Sequence, residues 1–156
     1  MARLEVPLLS KVLRATGDVL LRAELDLLVR TNSFIWEKMV FLVDTGTEMT
    51  SIPIAAARRL DLPFPQKPVP RLHFQSTGEE VRAGIIRAQI VGLGTREFAF
   101  SCYFVGNPSA MASSGSSPRL RRNLLGLTSV VDKVRITFDG EVTPQAPYGI
   151  MILEEK

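Results

Sequence analysis

The most informative segment reads Phe41-Leu42-Val43-Asp44-Thr45-Gly46-Thr47-Glu48-Met49-Thr50-Ser51-Ile52. Asp44 follows three apolar residues, so we expect its carboxylate at the end of a buried strand. Thr45 and Gly46 suit a tight turn, because glycine permits close backbone approach and the threonine hydroxyl can form a hydrogen bond. Asp-Thr-Gly also occurs in ordinary turns that an aspartate side chain closes. The segment alone therefore indicates one carboxylate on a rigid loop.

The sequence around this loop predicts an all-β chain with one short helix. Short apolar stretches are separated by polar or turn-forming residues, whereas helical periodicity is not sustained. One strand is expected over 38–43, leading directly into Asp44, and alanines and arginines favour a short helix over 54–60 with Pro53 in its first turn. A long strand or two successive ones over 19–29 would place Ala23, Leu25 and Leu27 on one face. Further strands are expected at 81–89, 97–105 and 133–138.

Two polar segments interrupt the later strands. Ser76-Thr77-Gly78-Glu79-Glu80 has the polarity and the glycine expected of a hairpin tip. Residues 106–118, rich in serine, glycine and alanine, are predicted to form a flexible surface loop. No second Asp-Thr-Gly or Asp-Ser-Gly is present anywhere in the sequence.

Composition restricts the classes of function. The chain has 156 residues, of which 46% are hydrophobic and 22% charged, which is typical of a single folded domain over 1–156. Its only cysteine, Cys102, excludes a disulfide framework and a cysteine-rich zinc site. We expect no metal and no cofactor. Cys102 could act as a nucleophile with His73, the only histidine, but its alternating strand context favours a small buried hydrophobe.

Charge and hydropathy give expectations for location and partners. Arg3, Glu5, Lys11 and Arg14 interrupt the apolar run that a secretory signal or a membrane span needs. A soluble cytoplasmic protein without a membrane partner is therefore predicted. The net charge of the chain is +3. Its basic residues are scattered along the sequence, except for a cluster formed by Arg119, Arg121 and Arg122. Nucleic-acid binding through this cluster is a minor alternative and is not expected.

The order of residues from Leu42 to Ile52, with Asp44-Thr45-Gly46 followed by a small and an acidic residue, resembles the active-site loop of the retroviral-type, retropepsin-like aspartic proteases. About eighty residues later, Leu124-Leu125-Gly126 resembles the second signature of that family. The resemblance covers about 18–140. The apolar tail at 150–153, within the terminal extension 141–156, either joins a dimer sheet or packs on its own subunit. The dimer interface is favoured because an unpaired apolar edge invites aggregation.

The resemblance implies an acid-protease barrel, one lobe per chain, assembled as a homodimer. Asp44 would be catalytic, Thr45 would form reciprocal hydrogen bonds across the axis, and Gly46 would direct its carbonyl towards a polypeptide substrate. The remaining implied substrate-binding residues are Thr47, Glu48, Ser76, Thr77, Gly78 and Leu125. The hairpin tip would act as a flap over an extended peptide, read through alternate side-chain pockets.

Stoichiometry makes the dimer part of the predicted mechanism. Peptide hydrolysis by this chemistry needs two carboxylates that share one proton, and each chain supplies only Asp44. A twofold axis would place Asp44 against its symmetry mate. The predicted function is therefore that of a homodimeric aspartic endopeptidase.

Two departures from the family pattern support an alternative. The family places an arginine after the second glycine, but Leu127 stands here, so Glu48 lacks its expected partner, for which Arg14 or Arg22 could substitute. The flap tip contains a single glycine, Gly78. The alternative is a catalytically weak or inactive module of the same fold that binds peptides or dimerises.

Overall fold

The structure is a computed structural model that describes residues 1–65, 67, 69, 79–107 and 122–156. Within these residues the elements, in chain order, are β1 (Arg3–Pro7), β2 (Leu9–Val12), β3 (Val19–Arg30), β4 (Trp36–Val43), β5 (Thr50–Pro53), α1 (Ile54–Arg59), β6 (Glu80–Ile90), β7 (Phe98–Gly106), β8 (Asn123–Leu125), β9 (Val134–Asp139) and β10 (Ile150–Glu155). The prediction of a mostly β chain with one short helix is confirmed.

Six strands close into a barrel. Their order is β3-β4-β8-β5-β7-β6, and β6 returns to β3 through the pairs Leu27↔Ile90, Leu28↔Gln89 and Val29↔Ala88. The β4–β8 and β5–β7 pairs are parallel, whereas β3–β4, β5–β8 and β6–β7 are antiparallel. This closure leaves β2 as an additional strand beside the first residues of β3.

Alternation along β3 fills the barrel. Ala23, Leu25, Leu27 and Val29 are all buried, which confirms the face predicted from the sequence. Side chains on the other face of a strand point the opposite way, and there Glu24 and other polar residues meet solvent. The largest buried side chains around this face are Phe41, Phe100, Phe104, Ile52 and Ile86.

The helix lies where the sequence predicted it, with one correction at its start. Pro53 occupies the N-cap position and is the last residue of β5, so it precedes the first turn instead of lying within it. Ile54 and Ala57 are buried, so α1 packs one face against the barrel. Proline suits this junction because it has no amide hydrogen to satisfy.

A second, three-stranded sheet corrects the prediction for the tail. β10 lies between β1 and β9 and pairs antiparallel with both, from Arg3↔Glu154 on one side to Ile150↔Asp139 on the other. Met151 and Leu153 are completely buried in the core of the same chain. The tail therefore has no unpaired apolar edge, and the reason for assigning it to a dimer interface is wrong. The hydrophobic core thus includes residues outside 18–140, the range that the resemblance covers.

Candidate active site

Asp44 lies immediately after β4, and hydrogen bonds fix both of its carboxylate oxygens. The Gly46 amide donates to Oδ1 at 2.9 Å, and the Thr47 hydroxyl donates to Oδ2 at 2.9 Å. The Asp44 amide donates to the Leu125 carbonyl at 3.1 Å, which ties the loop to β8. A carboxylate with two donors of its own loop is held in one orientation and keeps lone pairs for a further partner.

The loop around Asp44 lies on the surface of the single chain. Asp44 is half-buried, whereas Thr45 and Gly46 are exposed. Within the described part of the chain, the Thr45 hydroxyl makes no hydrogen bond. The position predicted to contact a second subunit is thus accessible to one.

The second motif braces this loop from the neighbouring strand. Leu124 pairs with Leu42 of β4, and Leu125 pairs with Val43. The Gly126 amide donates to the Thr50 hydroxyl at 3.1 Å. A Cβ on Gly126 would lie 2.4 Å from the Met49 carbonyl carbon, so only glycine fits here.

Leu125 requires a correction. The resemblance implied that it binds substrate, but the residue is only 1% exposed and belongs to the hydrophobic core. A side chain enclosed on all sides offers no surface to a peptide in this structure. Its contribution to the site is the carbonyl that accepts the Asp44 amide.

The segment after Gly126 crosses beneath the loop through backbone contacts. The Leu127 amide donates to the Thr47 carbonyl at 3.1 Å, and the Thr128 amide donates to the Glu48 carbonyl at 2.7 Å. Leu127 therefore supports the loop through its backbone although it lacks the charge that the family pattern places there.

The Glu48 carboxylate is exposed and forms no ion pair with any residue that the structure describes. Arg22, suggested above as a substitute partner, instead lies 3.3 Å from Glu24, which also has Arg122 at 3.9 Å. Arg14 likewise forms no ion pair within the described ranges. Inside one chain, the charge of Glu48 therefore remains unmatched by the residues described.

Thr50 was not among the predicted site residues, although it forms part of the local pattern. It is completely buried, and its hydroxyl accepts the Gly126 amide. A buried hydroxyl paired with a backbone amide stabilises the contact between the two motifs. The sequence signal that could have identified Thr50 is a threonine six residues after the aspartate.

Other predicted residues are placed as follows. Ser76, Thr77, Gly78 and His73 lie outside the described residues, as do Arg119, Arg121 and all of the predicted 106–118 loop except Gly106 and Asn107.

Burial raises the pKa of the Cys102 thiol far above its usual range, an effect only partly offset by a hydrogen bond to the Ile52 backbone. Because the reactive thiolate is disfavoured, the interpretation of Cys102 as a small buried hydrophobe is confirmed.

Within residues 1–65, 67, 69, 79–107 and 122–156, no group of three or more histidine, cysteine, aspartate or glutamate side chains is arranged to hold a metal ion. The described part of the chain also contains no helix with the length and apolar character needed to cross a membrane.

An open depression of about 650 Å³ lies between α1, the residues that follow it and β6, and it includes Arg58, Asp61, Phe64 and Ile85. None of the predicted site residues that the structure describes lines it. Asp44 therefore lies on a surface loop in the single chain and not within this depression.

Comparison with known proteins agrees with the fold. Seven chains of solved structures match, among them the crystal structure of a retropepsin-like aspartic protease from Rickettsia conorii. The two chains are 15% identical, the match covers 97% of this chain and 89% of the other, and the TM-score is 0.56. No protein-family model and no curated protein matches the sequence. At this identity the likeness establishes the fold, and the retropepsin-like fold predicted from the sequence is confirmed.

Proposed function

We propose that this chain is an aspartic endopeptidase that acts as a homodimer, with one Asp44 from each subunit. The observation that carries the proposal is the geometry of Asp44: two donors of its own loop orient the carboxylate, and the second motif braces that loop from below. This arrangement occurs in a chain with the fold of a retropepsin-like aspartic protease.

In the proposed mechanism, the two Asp44 carboxylates lie next to each other and share one proton, because two adjacent carboxyl groups resist simultaneous ionisation. The ionised carboxylate removes a proton from a water molecule, and the resulting oxygen nucleophile attacks the scissile carbonyl carbon. The protonated partner donates its proton to the carbonyl oxygen. When the carbon–nitrogen bond breaks, the carboxyl group that took the water proton donates it to the departing amine, and the other carboxylate accepts a proton from a hydroxyl of the tetrahedral intermediate, which restores the shared-proton state.

The surrounding residues have supporting roles in this mechanism. The Gly46 amide and the Thr47 hydroxyl keep the Asp44 oxygens in place while the proton moves. Thr45 forms reciprocal hydrogen bonds across the axis, and Glu48 lines the adjoining subsite. Gly46 directs its carbonyl towards a substrate bound as an extended strand, and Ser76, Thr77 and Gly78 close over it.

The direct test is Asp44→Asn, which keeps the shape of the side chain but removes its ability to accept a proton. We expect peptide cleavage, followed by mass spectrometry on unfolded proteins and on the chain itself from acidic to neutral pH, to fall at least about a hundredfold. Dimerisation should persist. Undiminished cleavage by Asp44→Asn would remove Asp44 from the mechanism.

Asp139→Asn is a matched control. The Asp139 Oδ1 accepts the amide two residues later, from Glu141, at 2.9 Å, as the Asp44 Oδ1 accepts the Gly46 amide. The same substitution in a turn of the same kind should leave cleavage unchanged.

A second candidate function is peptide binding without turnover. It is favoured by Leu127 at the position of the family arginine and by the absence of an ion pair for Glu48 within the described residues. Saturable binding of an extended peptide, with no cleavage at any pH and with equal affinity in Asp44→Asn, would support this candidate over the protease.

A further inference from the structure

The start of β3 extends beyond the barrel. Residues from Ala23 onward pair with β4, and Ala23 itself lies opposite Val43, the last residue before Asp44. Residues 19–22 pair instead with β2, from Leu9↔Arg22 to Val12↔Val19. The β2–β3 hairpin therefore projects past the edge of the barrel at the point where the Asp44 loop begins.

One face of this hairpin continues the core face of β3. Side chains alternate along a strand, so Val19 and Leu21 share the face of Ala23, and Val12 shares it because it lies directly opposite Val19. Ala23 is 2% exposed, whereas Val12, Val19 and Leu21 are 59%, 55% and 53% exposed. We call Ser10, Val12, Val19 and Leu21 the hairpin face. It contains no charged residue, and no other part of the described chain covers its three apolar side chains.

The terminal sheet is a poorer candidate for an interface. Its middle strand, β10, already has a partner on each side. On its outward face, Arg3 lies 2.7 Å from Glu5 and 3.9 Å from Glu154, and Arg135 lies 3.7 Å from Glu154. Burying these half-exposed charges would remove their hydration, which opposes association.

The size of a stable interface also points to the hairpin. Such interfaces bury about 800 Å² on each partner, contributed by roughly 20–30 residues. The exposed residues of the Asp44 loop, namely Thr45, Gly46 and Glu48, are far too few to supply this area. If Asp44 is to meet its mate, the partner must also cover the surface beside it, and the hairpin face is the apolar surface that the strand register places there.

We propose that a second copy of this chain covers the hairpin face, so that the β2–β3 hairpin, and not the terminal sheet, forms the apolar part of the dimer interface. This inference rests on the proposed function, which requires two Asp44 residues in one site. The contact completes the active site, because dissociation at the hairpin separates the two carboxylates.

The test is Leu21→Glu, followed by sedimentation velocity over a concentration series and by the cleavage assay. Because a twofold axis places residue 21 of both subunits in the same interface, the substitution introduces two charges into its apolar part. This should raise the dimer dissociation constant by about a hundredfold or more. Cleavage should fall in parallel and recover at high protein concentration. Leu21 is more than half exposed, so the fold of the single chain, checked by circular dichroism, should be retained.

Val19→Glu provides a second, independent variant if Leu21→Glu does not fold. Ile85→Glu is the matched control, since Ile85 is a strand residue that is 61% exposed on β6, outside the hairpin face. It should leave both the dissociation constant and cleavage unchanged.

The outcomes separate this inference from the proposed function. A folded Leu21→Glu or Val19→Glu chain that remains dimeric overturns the inference, and a raised KM without dissociation would assign the hairpin face to the substrate instead. A wild-type chain that stays monomeric at every concentration overturns both this inference and the homodimer of the proposed function. Failure of the proposed function would appear differently, as cleavage retained by a dimeric Asp44→Asn chain.

Discussion

At the residue scale, the site depends on how the Asp44 carboxylate is held, and Thr47 provides one of its two local donors. Thr47→Val removes the hydroxyl that donates to Oδ2 while preserving the shape of the side chain. Hydrogen bonds to charged groups contribute about 1.5–3 kcal/mol, so we predict a fall in kcat of about tenfold to a hundredfold. KM should change much less, since Asp44 and not the peptide loses the contact.

Steady-state kinetics on a cleaved peptide would check this prediction. Thr47→Ser keeps the hydroxyl and should retain most of the activity. A wild-type kcat in Thr47→Val would mean that the hydroxyl does not position Asp44.

The requirement for a residue without a side chain at Gly126 can be tested directly. In Gly126→Ala the new Cβ would lie within 3 Å of three backbone atoms of Met49 and Thr50, and backbone cannot move aside cheaply. We predict a loss of about 1–3 kcal/mol in the free energy of unfolding, measured by urea denaturation, together with reduced cleavage. Gly140→Ala, where nothing lies within 4 Å of the added carbon, should change neither.

Residue types in the sequence predicted part of the candidate site but not all of it. The position of Asp44 at the end of β4 was predictable because a carboxylate follows an apolar run and precedes a tight turn. The contribution of Leu125 could not be predicted, because a backbone carbonyl is present at every residue and leaves no signal in the sequence. Hydrophobicity at that position indicated only that the side chain prefers an apolar environment, which here is the core.

At the scale of elements, the strand–helix order was predictable because each strand carries its own alternating pattern. β1, β2 and β5 were not predicted, although in β1 Leu4 and Val6 alternate with Arg3 and Glu5 and offered the same signal. The position of the tail could not be predicted for a different reason. Its neighbour β1 lies at the opposite end of the sequence, and an apolar strand does not specify which edge it joins.

The tail gives a prediction at this scale. Leu153 is completely buried within its own chain, so Leu153→Ala should lower the free energy of unfolding by about 2–5 kcal/mol. The loss should be independent of protein concentration in urea titrations, because the cavity forms inside one subunit. Ile152→Ala, on the opposite face of β10, should cost less. A Leu153→Ala chain with normal monomer stability but weakened dimerisation would indicate that the tail does form part of the dimer interface.

At the scale of the whole molecule, the closed barrel fixes where the Asp44 loop meets the second motif. The parallel β4–β8 pairing brings Val43 beside Leu125, although more than eighty residues separate them in sequence. The surface that we propose for the dimer contact could not be predicted, because exposed apolar residues on β2 and β3 become recognisable only after the barrel shows which side chains it leaves uncovered.

The central claim is that two copies of one carboxylate form the active site, and an experimental structure of the assembled protein tests it most directly. The measurement is the distance between the Asp44 carboxylates of the two subunits. We predict facing oxygens about 3 Å apart, close enough to share one proton. An assembly that cleaves peptides while its Asp44 carboxylates lie far apart, or an active monomer with Asp44 facing open solvent, would contradict the account.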